Sequence, residues 1–208
     1  MTYNMMLESN VDIVLSPTEE EEHMKATDDL VKEHKGIKLM LNIMDSISKK
    51  MKVGSSVDPE HLFRIIDFLK TFVDKCHHAK EEKILFPAMI ETKINQSIGP
   101  IKGILKEHKT GRKYVEGLSR DIDKYATGNK KVTGGITQNA QNYISLLRPH
   151  IEKEDNVIYP MADEFLPEEK HKSMSGEFEK IETEIIGLGK HDEYHRLLEQ
   201  LKTIYVKP

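Results

Sequence analysis

Two stretches of the sequence share one pattern of residue types that bind metals. Residues 77–87 read HHAKEEKILFP and residues 150–160 read HIEKEDNVIYP. Each stretch has a histidine, a glutamate four positions later, a second acid, two aliphatic residues, an aromatic residue and a proline. Residues four apart lie on the same face of a helix, so the histidine and glutamate of each pair project together. Imidazole and carboxylate together suit iron, manganese or zinc.

A second duplication strengthens this interpretation. One His-x-x-x-Glu pair alone is usually solvated or locally paired. However, the tetrapeptide KEHK occurs twice, around His34 and around His108. His34 precedes His77 by 43 residues, and His108 precedes His150 by 42. The chain therefore resembles two copies of one helix hairpin, and self-similarity of this kind indicates a repeated structural unit.

Helical periodicity supplies the elements that position these residues. Hydrophobic residues at helical spacing predict helices over roughly 16–51, 58–87, 97–126 and 136–165. No stretch alternates with period two over a useful length, so we predict no strands. Two amphipathic hairpins bury their apolar faces best against each other. We therefore predict an all-α fold, an antiparallel four-helix bundle with up-down-up-down order.

The bundle is expected to occupy residues 16–165, after an N-terminal extension over 1–15. Residues 166–208 are charged and weakly amphipathic, and they are interrupted by Gly187 and Gly189. We interpret them as a C-terminal helical appendage.

If the four apolar stripes face inward, four imidazoles and two carboxylates meet in the core. Six such groups without partners would be very costly to bury, and a metal removes that cost. The absence of thiolate ligands makes a structural zinc site less favoured. Carboxylates on opposite hairpins can bridge two metals. An ancient duplication that has lost its metal is the alternative. The candidate ligands are His34, His77, Glu81, His108, His150 and Glu154.

At these residues the sequence resembles the hemerythrin-like family of His-His-Glu cation-binding domains. The similar segments are LVKEHKGI, HHAKEEKILFP, ILKEHKTGR and HIEKEDNVIYP, within residues 24–165. The charged tail is similar to that of the longer prokaryotic members. The resemblance implies a bundle around two non-haem iron ions bridged by oxo and carboxylate groups, with manganese or zinc as alternatives. It makes the four histidines terminal ligands and the two glutamates bridges.

Oxygen-carrying members of that family use five histidines, and the fifth is not obvious here. His78 is the candidate, although on a helix it points about 100° away from His77. His23 lies 11 residues before His34, about 16 Å along a straight helix, so it cannot share a metal with His34.

Three further residues lie near the candidate ligands. Tyr143 is two helical turns before His150, where it is either a core aromatic residue or a hydrogen-bond donor to a bound oxygen species. Gly111 follows His108 by three residues, so it either opens a pocket beside the metal or packs against a neighbouring helix. Pro149 lies inside an expected helix and predicts a kink that re-aims His150.

Two other positions carry open alternatives. Cys76 is the only cysteine. It is either a small buried residue or a redox-reactive thiol. His191 and His195 are four apart on the tail, where they are either solvated or able to bind a metal.

Composition excludes some functions. The formal net charge is −4 and no apolar run approaches a membrane span, so nucleic acid and membranes are poor partners. A single cysteine allows no intrachain disulfide and no signal peptide is evident, so we expect a cytoplasmic protein. The resemblance implies binding or sensing of O2, peroxide or nitric oxide. The alternatives are reduction of peroxide or nitric oxide, and an iron- or redox-responsive interaction module. An electron donor or protein partner is not indicated.

Overall fold

Six α-helices account for most of the described residues. The computed structural model describes residues 25–92 and 95–206, apart from the side chains of 95–97 and 185. Helix α1 is Ala26–Lys52; α2 joins Pro59–Phe68, Leu69–His78, Glu81–Leu85 and Phe86–Glu91; α3 is Asn95–Ala126; α4 joins Thr133–Lys153, Glu154–Ile158 and Tyr159–Phe165; α5 joins Glu168–Lys180 and Ile181–Gly187; α6 is Lys190–Tyr205. These residues include no strand, so the predicted all-α class is confirmed.

Helix α2 begins where the sequence predicts. The side chain of Asp58 accepts a hydrogen bond of 2.9 Å from the backbone N–H of Glu60, and Pro59 occupies the first helical position. A capping carboxylate satisfies a backbone donor that has no partner within the helix, and proline has the φ angle that a first turn requires.

The described part of α1 begins at Ala26, after the extended backbone of Lys25. The predicted start of this helix at Ser16 lies outside the described residues. So do the predicted extension over 1–15 and His23.

Hydrogen bonds show how α1 lies against α4. Side-chain hydrogen bonds that join the two helices include Thr27 to Asp163, His34 to Asp155, Asn42 to Arg148 and Asp45 to Gln141. Residue numbers rise along α1 as they fall along α4, so these two helices are antiparallel. Helices α2 and α3 are related in the same way, through Lys70 with Ser119, Asp74 with Arg112 and Glu82 with His108.

The repeated phrase has the same local structure in both copies. Each copy contains a π-helical turn, Glu81–Leu85 in α2 and Glu154–Ile158 in α4. In each turn the backbone N–H of the aromatic residue donates to the carbonyl of the ligand-type glutamate five positions earlier. The next residue is a proline, Pro87 or Pro160, which has no N–H for the usual bond to the carbonyl four residues back. The proline thus favours the wider turn beside the glutamate, and such π-bulges are frequent at functional sites.

The helices of the tail pack on the first four helices. Phe178 of α5 is buried in an apolar cluster with Leu30 and Phe86, whereas Leu198 and Leu201 of α6 belong to a larger cluster. The chain turns between α5 and α6 at Gly187 and Gly189, which have φ values of 104° and 78°. Positive φ is readily adopted by glycine, which explains the break expected there. None of the helices within the described ranges is long and apolar enough to cross a membrane.

Candidate metal centre

A buried polar layer lies between the two apolar clusters. On α1, Leu30 belongs to one cluster and Ile37 to the other, with His34 between them. On α2, α3 and α4 the predicted ligands likewise lie between residues of the two clusters. The polar side chains of all four helices therefore lie at the same level of the bundle. The predicted ligands are all at most 1% exposed: His34, His77, Glu81, His108, His150 and Glu154.

Glu154 faces histidines of three helices. Its Oε1 lies 3.1 Å from Nε2 of His150 and 3.7 Å from Nε2 of His108. Its Oε2 lies 3.3 Å from Nε2 of His34. A carboxylate from the second hairpin therefore contacts a histidine of the first.

Glu81 makes the reciprocal contacts. Its Oε2 lies 3.4 Å from Nε2 of His108 and 3.9 Å from Nε2 of His77. Each carboxylate thus faces histidines of both hairpins, which is the position that a bridging ligand requires.

In each of these four histidines, Nδ1, the ring nitrogen that points away from Glu81 and Glu154, lies within hydrogen-bond distance of another carboxylate. The Nδ1 contacts are His34 to Asp155 at 2.6 Å, His77 to Glu33 at 2.8 Å, His108 to Glu82 at 2.7 Å and His150 to Glu107 at 2.9 Å. An ionised carboxylate only accepts hydrogen bonds, so each Nδ1 carries the proton. In the neutral ring Nε2 then offers its lone pair to the centre, as in metal sites where an outer carboxylate orients the histidine.

These outer acids were missed in the sequence analysis, although the repeats contain them. Glu33 and Glu107 each precede a lone histidine, and each bonds the second histidine of its own hairpin. Glu82 and Asp155 follow the ligand-type glutamates, and each bonds the lone histidine of the other hairpin. The second acid of the repeated phrase was the available signal.

Basic residues at equivalent positions hold the same acids. Lys80 donates to Glu33 at 2.6 Å, and Lys153 donates to Glu107. Lys38 donates to Asp155 at 2.8 Å, and Arg112 donates to Glu82 at 2.8 Å. The two hairpins therefore repeat the hydrogen bonds around the histidines as well as the predicted ligands themselves.

The carboxylates of Glu81 and Glu154 have the properties of cation ligands. Oε2 of Glu81 and both carboxylate oxygens of Glu154 are buried and accept no hydrogen bond in the described structure. Burial and the neighbouring Glu154 carboxylate raise the pKa of Glu81 well above its usual range. Burial also opposes ionisation of Glu154, but the nearby imidazoles of His150, His108 and His34 keep its pKa well below its usual range. Two buried carboxylates repel each other unless a proton or a cation lies between them.

Comparison with known sequences agrees with this geometry. The family model described as the hemerythrin HHE cation-binding domain matches residues 25–162. The chain belongs to this family.

The curated proteins that are similar to this chain are uncharacterized. Uncharacterized proteins of Mycobacterium bovis and of two Mycobacterium tuberculosis strains are 23% identical over 165 residues. The alignment covers 79% of this chain and 64% of each relative, so the relatives are longer than the matched region. No solved structure matches significantly. Membership in the HHE family implies cation binding, and the His/Glu cluster fits that property.

One asymmetry of this hemerythrin-like cluster is a tyrosine that the sequence analysis overlooked. The hydroxyl of Tyr159 donates to Oε1 of Glu81 at 2.7 Å and lies 3.4 Å from Nε2 of His34. Phe86 occupies the equivalent position in the first hairpin. The change from Phe to Tyr in the repeated phrase was the available signal.

His78 is the second asymmetry, because Ile151 occupies its equivalent position. Its ring stacks on that of His108 with centroids 3.8 Å apart. Its Nδ1 lies 3.4 Å from Oδ1 of Asp74. His78 also joins His108 and His150 in a group whose ligand atoms all lie within 4.8 Å of one another. The helix therefore places His78 in the polar layer despite the predicted divergence from His77.

Gly111 and Tyr143 are not in the inner cluster. Both line a surface cavity of about 250 Å³ that also reaches His78. A Cβ atom on Gly111 would lie 3.3 Å from the Tyr143 ring, so the glycine keeps space beside that ring. Tyr143 itself is buried in the larger apolar cluster.

Three other candidate positions lie outside the cluster of predicted ligands. Helix α4 continues through Pro149, and the predicted kink stays a prediction. His195 is exposed, whereas His191 lies 3.6 Å from the buried Cys76 thiol. The two tail histidines therefore have different environments.

Proposed function

We propose that the chain holds two iron ions in this cluster and binds O2 or a related small molecule there. The observation that carries the proposal is the convergence of four histidine Nε2 atoms on two buried carboxylates, three of whose four oxygens accept no hydrogen bond in the described structure. The proposed ligands are His34 and His77 for one ion, His108 and His150 for the other, with Glu81 and Glu154 as bridges. Manganese or zinc would suit the same donors.

His78 is proposed as a fifth histidine, beside His108 and His150. Its position makes the two metal sites unequal, with three histidines on one side and two on the other. When bound, a pair of ferrous ions supplies two electrons and open coordination positions for a small ligand.

The chain itself controls access to this centre. Apolar clusters above and below the polar layer exclude water from most directions. The cavity lined by His78, Gly111 and Tyr143 provides a path from the surface to the histidine side. We propose that a small ligand reaches the centre along this path.

Reduction of peroxide or nitric oxide is the second candidate function. The observation that favours it is the Tyr159 hydroxyl, which lies 2.7 Å from Oε1 of Glu81 and can donate a hydrogen bond at the centre. Steady turnover with an added electron donor would distinguish this function from reversible binding.

We also propose the up-down-up-down order for the four bundle helices, since the contacts of α1 with α4 and of α2 with α3 are antiparallel. The division into an extension, a bundle over 16–165 and a tail over 166–208 is part of the same proposal.

The decisive experiment combines metal analysis with an optical spectrum, on protein purified without oxygen and then exposed to air. Two irons per chain and a visible band that disappears on deoxygenation would support reversible oxygen binding. Two irons with an irreversible spectral change would favour redox turnover or sensing. One metal ion or none would overturn the di-iron proposal.

His34→Ala should lose iron, whereas His61→Ala, at a histidine that bonds Tyr205 instead, should not.

A further inference from the structure

A second group of metal-binding side chains lies outside the proposed iron centre, where α5 and α6 meet α1 and α2. Sγ of Cys76 lies 3.6 Å from Nε2 of His191 and 3.9 Å from Oε1 of Glu33. Nε2 of His191 lies 4.0 Å from Oε1 of Glu33 and 3.8 Å from Oε2 of Glu182. Four helices therefore bring one thiol, one imidazole and two carboxylates to one point.

We propose that Glu33, Cys76, Glu182 and His191 bind a single divalent cation of the zinc type. In a tetrahedral zinc site with these donors, neighbouring ligand atoms are about 3.4–3.6 Å apart, as the usual bond lengths require. Four of the six separations between the ligand atoms are 3.6–4.0 Å, and all six are within 4.8 Å, so side-chain shifts of about 1 Å or less reach those values. Thiolate with imidazole favours zinc over magnesium or calcium, which prefer oxygen ligands alone.

The charges also suit a cation. The two carboxylates face one ammonium, because Lys80 donates to both Glu33 and Glu182 and is fully buried. With a neutral thiol the group therefore has one net negative charge. A divalent cation that displaces the thiol proton to solvent brings the net charge to zero.

Lys80 does not block this arrangement. It bonds Oε1 of Glu182, whereas Oε2 of the same carboxylate faces His191. The Glu33 oxygen near the thiol is shared with Lys80, and a carboxylate oxygen has two lone pairs. Lys80 can therefore remain as a hydrogen-bond donor to bound carboxylates.

A cation can reach the group from solvent. A surface cavity of about 290 Å³ is lined by Glu33, Glu182 and His191. His195 lines the same cavity but does not belong to the cluster, so it provides a matched control on the same helix.

Glu33 links the two sites. Its Oε2 accepts from Nδ1 of His77, whereas its Oε1 faces Cys76. A cation at the second site would compete with His77 for the charge of this carboxylate. The equivalent acid of the other hairpin, Glu107, has no such neighbours among the described residues. The second site is therefore specific to the hairpin that the tail covers.

Cobalt(II) provides a selective probe, because Cys76 is the only cysteine and the proposed iron ligands include no thiol. The full chain would be stripped with a chelator and titrated with Co²⁺. A thiolate-to-cobalt charge-transfer band in the near ultraviolet reports this site alone. We expect the intensity of the band to correspond to one thiolate-bound cobalt per chain, whatever further cobalt the His/Glu cluster takes up, and the band to disappear when zinc is added.

The variants decide the assignment. His191→Ala and Glu182→Gln should weaken cobalt binding about tenfold or more, Cys76→Ser should abolish the band, and His195→Ala should leave it unchanged. A wild-type chain without the band, or a His191→Ala band with wild-type affinity, would overturn the inference. The two α5–α6 variants keep the test valid if Cys76→Ser does not fold. A thiolate band in a chain that binds no iron would support this site while refuting the proposed function.

Discussion

Oε2 of Glu107 lies 2.9 Å from Nδ1 of His150, and Glu33 holds His77 in the same way at 2.8 Å. The two contacts are equivalent by sequence repeat but differ in exposure, because the Glu107 side chain is 23% exposed and that of Glu33 only 7%. Burial opposes ionisation of Glu33, but His77 and Lys80 lower the pKa of this carboxyl to about 2. Glu107 is therefore the simpler position at which to test what an outer carboxylate contributes.

Glu107→Gln should lower metal affinity by about 10- to 100-fold, as loss of an outer-shell partner commonly does. A glutamine amide can donate as well as accept, so it no longer ensures that Nδ1 of His150 carries the proton. Competition with a chelator would measure the effect. Glu116→Gln, at an exposed acid on the same helix, is the control. Equal affinities for Glu107→Gln and the wild type would contradict an orienting role.

Tyr159→Phe should lower the free energy of unfolding by about 1–3 kcal/mol, the usual range for a lost hydrogen bond to a buried acceptor. The ring should still fit, because Phe86 occupies the equivalent position in the other hairpin. Iron content should stay unchanged, whereas the rate of any peroxide or nitric oxide turnover should fall. Urea unfolding would measure the change in stability, metal analysis the iron content, and steady-state assays the turnover rate. Tyr114→Phe, on a partly buried residue of α3, should be close to neutral; an unchanged unfolding curve for Tyr159→Phe would refute the contribution of this bond.

Much of this site could be predicted from the sequence, because each type of candidate ligand occurs at equivalent positions in both repeats. His34 and His108 are single polar residues within apolar helical stripes, and each occurs in the same tetrapeptide. The pairs four residues apart follow from helix geometry alone. That is why the all-α class and the polar level of the core could be predicted without a structure.

The outer contacts could not be predicted in the same way, because they cross between helices. Asp155 bonds His34, which is 121 residues away in the chain. Sequence spacing does not show which acid meets which histidine, since helix rotation and the π-helical turns determine it. Likewise, nothing local indicates that His191 of the tail contacts Cys76. Such contacts depend on how separate helices pack.

Gly111→Leu should slow the access of small ligands to the metal centre. A side chain at this position meets the Tyr143 ring and fills the cavity that leads to His78. Overpacking of this kind typically costs about 1–3 kcal/mol of stability. The observed rate of azide binding to the iron-loaded chain would measure access. Gly99→Leu is the control, because nothing lies within 4 Å of a Cβ atom there. If azide binds both variants at the wild-type rate, ligands do not use this cavity.

Glu81→Gln should separate metal binding from the stability of the metal-free chain. Wild-type protein should be stabilised by metal, by about 2.7 kcal/mol when free metal is 100 times its Kd, and the variant should lose most of this gain. Without metal, the variant should be the more stable protein at pH 7, because an amide removes the repulsion between Glu81 and Glu154.

The pKa of Glu81 is raised by burial, so the folded wild type binds a proton more readily than the unfolded chain and gains stability as the pH falls. The difference between the two metal-free proteins should therefore shrink toward acid pH. Thermal unfolding with and without a chelator, across that pH range, would measure it. A metal-free variant less stable than wild type at pH 7 would show that the two carboxylates do not repel each other in the folded protein.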